Sequence, residues 1–200
     1  MSFSQHVKKT IQLENLASKS KDYAYGALFR QRVFDQRQSD EAVVRAERPS
    51  NLPRARSLGY KAKAGFIIAV VRVRKGSGMH RRPARGRKPK RMGVKKLTRR
   101  LSKKSMAERK AGVKFPNCEV LNSYWAGEDG KSTYFEVILA ERDNPGILAD
   151  KNVRWVALGE HRRRAERGLT SEGKKGRGLI KGKGHEKNYP SMRAHDRTAK

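Results

Sequence analysis

Gly65-Phe66-Ile67-Ile68-Ala69-Val70-Val71-Arg72-Val73-Arg74-Lys75-Gly76 is the stretch on which the reading of the fold turns. Its six consecutive apolar residues at positions 66–71 are mostly β-branched, and a glycine brackets the stretch at each end. Branching at Cβ favours extended backbone, and an apolar run of this length between turn signals reads as a buried strand. From position 72 the pattern alternates cation and valine, so the strand is expected to leave the body with one face charged.

Working outward, residues 48–107 hold twenty-one Lys or Arg and not one Asp or Glu. The segment at 75–91, KGSGMHRRPARGRKPKR, has Met79 as its one large apolar residue, so it has almost nothing to bury and its charges repel one another. Something polyanionic outside the chain must balance it. Across 200 residues, 49 basic and 19 acidic side chains leave a formal charge of +30, while hydrophobic residues make up 36 %. Those proportions predict a small globular body carrying basic arms.

The body is expected mainly at 115–160, where eight carboxylates against four Lys or Arg reverse the local charge. Two strand-like runs, at 118–125 and 134–140, flank a link of turn composition at 126–131 and predict an antiparallel hairpin. With the 66–74 run this makes a sheet of at least three strands. Asp143-Asn144-Pro145-Gly146 predicts a turn, and 153–156 a fourth short strand or a core-facing segment. Upstream, loose helical spacing from 7 to 37 predicts two helices separated near Ser18 to Lys21. Ser39 is read as the cap of a further short helix ending before Pro49, and 50–54 as a turn or extended connection between prolines. Residues 105–111 are read as a short helix stopped by Gly112. Glycines alternating with cations at 174–185 are not expected to hold a stable helix.

Catalytic and metal chemistry find little support. Cys118 is the single cysteine, so neither an intrachain disulfide nor a Cys-based zinc site is available, and it reads as a small apolar filler. Gly130-Lys131-Ser132 ends like a phosphate-binding loop, but Trp125 stands where the first glycine belongs and the motif falls in a hairpin link. Glu119, Glu128, Asp129, Glu136 and Glu141 read as solvated surface, and Asp40, Glu41 and Glu47 likewise. His80, His161 and His185 lie among cations, which suits phosphate contact better than metal binding. No enzyme reading survives, and no cofactor or small-molecule substrate is implied. The N-terminus lacks a signal-like apolar core and no run approaches the roughly 20 residues of a membrane span. The expectation is a soluble cytoplasmic protein without a membrane partner.

The remaining polyanions are DNA and RNA. No zipper follows the basic region and no Cys/His finger is present, although a non-specific chromosomal DNA-compacting protein has the same composition. Arms broken by Gly and Pro suit irregular folded RNA, where shape and phosphate contacts dominate. A third class, an rRNA-modifying or cleaving enzyme, would need one of the carboxylates at 119–143. Tyr60, set among cations, is read either as a base-stacking face or as packing on the body.

Three blocks settle the matter further: Pro53-Arg54-Ala55-Arg56-Ser57-Leu58-Gly59-Tyr60-Lys61-Ala62-Lys63; Val120-Leu121-Asn122-Ser123-Tyr124-Trp125 with Phe135-Glu136-Val137-Ile138-Leu139; and Arg167-Gly168-Leu169-Thr170-Ser171 running on to Gly182-Lys183-Gly184-His185. Together and in this order they closely resemble the large-subunit ribosomal protein numbered fifteen of archaea and eukaryotes, a family distinct from the bacterial protein of that number. The resemblance covers about 48–185 and weakens before Ala42. It implies an α+β fold, a small antiparallel sheet with flanking helices and long basic rRNA-binding extensions. It also implies a structural role in the large ribosomal subunit, with large-subunit rRNA and neighbouring ribosomal proteins as partners. The lack of a long extension past His185 is more archaeal than eukaryotic.

Carried over by position, the resemblance makes Arg54, Arg56, Tyr60, Lys61 and Lys63 RNA-contacting. The same holds for Arg72, Arg74, Lys75, His80, Arg81, Arg82, Arg85, Arg87, Lys88, Lys90, Arg91, Lys95, Lys96, Arg99 and Arg100 in the arm. In the tail it holds for Arg167, Thr170, Ser171, Lys174, Lys175, Arg177, Lys181, Lys183 and His185. Glu172 departs from the family's small residue, and a carboxylate there is expected to face solvent or a neighbouring protein. The expected organisation is an N-terminal helical region at 1–47, a basic block and central strand at 48–74 and a basic extended arm at 75–104. A helix plus hairpin at 105–160 completes the body, and a basic Gly-rich tail follows at 161–200.

Overall fold

The computed structural model describes residues 2–16, 24–77, 86, 101–177 and 179. Two helices, α1 (Phe3–Asn15) and α2 (Tyr25–Gln38), precede a short strand β1 (Val43–Ala46), helix α3 (Leu52–Ser57) and the long strand β2 (Phe66–Arg74). Helix α4 (Lys103–Lys114) leads into the hairpin of β3 (Cys118–Glu128) and β4 (Ser132–Glu141). A short helix α5 (Pro145–Leu148), 3-10 turns at Arg154–Ala157 and Gly159–His161, and helix α6 (Ser171–Gly176) follow. The four strands form one antiparallel sheet in the order β1-β2-β4-β3. This is the α+β architecture expected of the sequence.

The apolar run is the sheet's spine. In β2, Phe66 stands opposite Ala140 and Arg74 opposite Ser132 across the whole length of β4. Ala69, Val71 and Val73, with Val137 and Leu139, pack under Ala107 and Ala111 of α4 on one face. Ile68 and Ile138 meet Ala55 of α3 and Tyr124 on the other. A third cluster, Ala140, Ile147, Val153 and Val156, closes the sheet's end. Covering both faces is why β2 reads as a continuous apolar run instead of an alternation. Gly65 makes the entry possible: it adopts φ +86°, and a Cβ there would stand 2.7 Å from Ile147 Cγ1.

Several local expectations are corrected. The predicted helix after Ser39 is replaced by β1, because Val43 and Val44 can pair with Val71 and Val70 on the open edge of β2, and Val43 thereby enters the core. The 50–54 connection is the start of a helix. Asn51 accepts the Arg54 N–H at 3.0 Å, and Pro53 occupies the first turn, where its missing N–H leaves nothing unsatisfied. Gly112 does not stop α4: contacts of Ala107 and Ala111 with the sheet outweigh its cost of about 1 kcal/mol in a helix. Segment 153–156 is a 3-10 turn with Val156 fully buried, the core-facing alternative, and β1 supplies the fourth strand. Part of the Gly-Lys tail is helical after all, since the Thr170 hydroxyl accepts the Gly173 N–H at 3.0 Å and caps α6.

The largest correction concerns carboxylates. Glu119 and Glu136 are buried, as is Glu108, with exposures of 4, 2 and 1 %. Helices and loops cover both faces of the sheet, so no strand position there is left to solvent by alternation alone, and β-bulges between Val120 and Asn122 and between Trp125 and Gly127 further shift the alternation along β3. Each buried carboxylate is an anchor. Glu136 accepts the Ser50 N–H at 3.0 Å and the Tyr124 hydroxyl, tying the approach to α3 onto the sheet. Glu119 accepts the backbone N–H groups of Arg163 at 2.7 Å and Arg164 at 3.2 Å. Glu108 accepts the hydroxyls of Ser123 at 2.5 Å and Thr170 at 2.6 Å, joining α4, β3 and the tail. Cys118 is 2 % exposed, and burial, reinforced by Glu141, pushes its thiol up to about 11, in keeping with an inert filler.

Replacing Glu136 by Ala strands the Ser50 and Tyr124 donors and is expected to lower the unfolding free energy by about 3 kcal/mol. Replacing exposed Glu128, which meets Lys75 only at 3.3 Å, should cost less than about 1 kcal/mol. Urea unfolding of the two variants side by side checks the ranking; equal losses would contradict it.

Candidate nucleic-acid interface

In α3, Pro53 and Ala55 are buried against the body while Arg54 and Arg56 are exposed. Beyond it, the Lys61 and Lys63 ammonium groups converge on Asp150, at 2.5 and 2.8 Å. Tyr60 resolves to the packing alternative: it is half-buried and meets Phe66 edge to face, 6.1 Å between centroids.

Arg72 is turned to internal use. Its guanidinium donates to the carbonyls of Arg37 at 3.0 Å, Ser39 at 2.9 Å and Asp40 at 3.3 Å, satisfying the carbonyl end of α2. Arg74, two residues on, is exposed at the strand's end, and Lys75 reaches Glu128. In the tail, Ser171, Lys174 and Lys175 are exposed and Arg177 is half-buried. Arg167 is exposed yet folds back onto the carbonyls of Arg162 at 2.9 Å and of Glu160. Thr170 is a correction: it is fully buried, with its hydroxyl spent on Glu108 and the cap of α6, so it presents nothing to a partner. Glu172 is half-buried. It lies in the first turn of α6, where the helix dipole favours acid, and accepts the Ser102 hydroxyl at 2.6 Å.

His80, Arg81, Arg82, Arg85, Arg87, Lys88, Lys90, Arg91, Lys95, Lys96, Arg99 and Arg100 in the arm, and Lys181, Lys183 and His185 in the tail, lie outside the described residues. So does the break between the first two helices at 18–21.

The basic run at 161–164 yields two surface cations that the residue-by-residue expectation left out. Arg162 and Arg163 are exposed, Arg163 in the left-handed region at φ 53°. Arg164 goes inward, donating to the Leu121 carbonyl at 3.1 Å and to the Val120 carbonyl, and lying 4.7 Å over the Trp155 ring. Burial lowers its pKa, opposed by the fields of Glu108 and Glu119. Four adjacent basic letters carry no sign of which one turns in. Among the described residues no group of His, Cys, Asp or Glu is arranged to hold a metal, and no helix is long and apolar enough to cross a membrane.

Hydrogen bonds from Lys61, then Lys63 and the Asn152 N–H, hold the Asp150 carboxyl well below its ordinary value of 3.8. A depressed carboxyl contributes stability that is present above the ordinary value and is lost as pH falls through the depressed one. Lowering the pH below 3.8 should therefore begin to remove the contribution of this clamp, which is lost in full only once the pH has fallen through the depressed value, and Asp150→Asn should lack it at every pH. Following the Asp150 carboxyl carbon by NMR decides it, and an ordinary titration midpoint would contradict the clamp.

Comparison with known proteins agrees with the three sequence blocks and extends them. The profile of the family described as Ribosomal L15 matches residues 9–195, well beyond 48–185. Large ribosomal subunit protein eL15 of Methanocella arvoryzae is 56 % identical over 182 residues, covering 90 % of this chain and 92 % of that protein. Its counterpart in Methanospirillum hungatei is 47 % identical over 180 residues, covering 90 % and 91 %. The chain belongs to the ribosomal L15e family.

Proposed function

We propose that this protein is a structural constituent of the large ribosomal subunit that binds and bridges large-subunit rRNA through its basic extensions, residues 75–104 and 161–200. Neighbouring large-subunit proteins would be its other partners, and the ribosome in the cytoplasm its place of work. No residue in this reading is catalytic.

The observation that carries it is a separation of charge. The body turns Glu108, Glu119 and Glu136 inward, while Arg54, Arg56, Arg74, Lys174 and Lys175 stand outward without an acidic partner among the described residues. Such a surface attracts a polyanion of irregular shape, and the relatives are named for the particle that contains one. Lys61 and Lys63 belong to the same surface, with Asp150 holding them until phosphate competes for them.

Counterion release sets the test. About ten phosphate contacts would give a slope near −9 of log affinity on log salt for duplex-like RNA, more than single base contacts supply. Binding of the full chain to large-subunit rRNA fragments across a salt series should show a slope of that order and a preference over duplex DNA. A shallow slope, or a preference for DNA, would overturn the reading.

A further inference from the structure

Between α1, α2, α3, the start of α4 and the β3–β4 hairpin lies a cavity of about 350 Å³, within the range of about 300–1,000 Å³ usual for small-ligand sites. Its lining contains three cations, Arg32, Arg54 and Lys104, and no carboxylate. Arg32 is held by Glu14 at 3.0 Å. Arg54 and Lys104 have no acidic partner among the described residues. Glu136, the other buried carboxylate in this region, is occupied by Ser50 and Tyr124. The cavity is therefore electropositive, and two of its charges await an anion.

Two further groups at its wall are not explained by phosphate alone. Trp125 is 41 % exposed even though Phe29 stacks against it, 6.0 Å between centroids and 26° between planes. Asn15, the last residue of α1, makes no side-chain hydrogen bond among the described residues, leaving an adjacent donor and acceptor free. An indole face, a carboxamide and two unpaired cations are the recognition groups for an unstacked base with its phosphates. An acidic side chain of a neighbouring protein would answer only the cations.

We propose that this cavity receives a single unstacked nucleotide of the rRNA: Trp125 stacks on its base, Asn15 reads the base edge, and Arg54 with Lys104 holds the adjoining phosphates. The proposal rests on the rRNA-binding reading above and adds to it a concave site in the body, distinct from the extensions. There the chain discriminates an unpaired base from a paired one, which the arms, gripping backbone, do not.

The test uses the full chain labelled with 5-fluorotryptophan, which gives one fluorine resonance for each of its two tryptophans. Titration with an RNA hairpin carrying one bulged nucleotide should move the Trp125 resonance, and a fully paired hairpin of equal length should not. The Arg54→Ala/Lys104→Ala variant should lose that shift while still binding through the arms. Its salt slope should fall by about 1.4, at roughly 0.7 for each contact to single-stranded phosphate. Asn15→Ala should keep the shift but lose preference among the four bulged bases. Steeply salt-dependent binding with an unmoved Trp125, or equal shifts from both hairpins, overturns the pocket alone. Failure of the chain to bind either RNA at any salt overturns the rRNA reading and the pocket with it.

Discussion

Buried carboxylates hold this fold together. In a chain of +30, acid is scarce, and of the buried carboxylates among the described residues three, Glu108, Glu119 and Glu136, are no more than 4 % exposed. Burying a charge is costly unless hydrogen bonds satisfy it, and each of the three is satisfied by groups from a distant segment. Glu136 on β4 holds Ser50, Glu119 on β3 holds the turn at Arg163 and Arg164, and Glu108 on α4 holds both Ser123 and Thr170. The apolar sheet supplies burial that is indifferent to direction, whereas these anchors fix where segments distant in sequence attach to it.

Two cations make the reciprocal arrangement. Arg72 serves the carbonyl end of α2, and Arg164 runs through the body to carbonyls of β3 beneath Trp155. Neither relies on a carboxylate hydrogen bond; both donate to backbone oxygens. Among the described residues, exposed Arg54, Arg56, Arg74, Lys174 and Lys175 have no acidic partner, while Lys61, Lys63 and Lys75 meet Asp150 and Glu128. Interior ionic groups thus build the protein and exterior ones remain available to a partner.

The start of the tail shows how closely this is built. A Cβ on Gly173 would stand 2.5 Å from the Gly168 Cα, so the two backbones touch where α6 docks against the loop before it. The Gly-Leu-Thr-Ser block that carries the family resemblance is for that reason partly a packing motif. Thr170 and Gly173 are interior, and Ser171, Lys174 and Lys175 face outward.

Much of this was legible in the letters alone. A β-branched apolar run without helical spacing must be a buried strand, and β2 occupies it; two such runs around a Gly-Glu-Asp-Gly link must fold back on each other, and β3 and β4 do. Composition and charge patterning sufficed to indicate a small body and a polyanionic partner, because both depend on sums and not on geometry. Tertiary structure alone decided which polar letters turn inward. The parity of β3 depends on two bulges, the fate of Val43 and Val44 on an open sheet edge formed by a strand more than twenty residues away, and the burial of Glu108, Glu119, Thr170 and Arg164 on segments distant in sequence that supply their partners. A carboxylate, a hydroxyl or a guanidinium carries no local mark of burial, since only its surroundings determine whether desolvation is repaid by hydrogen bonds.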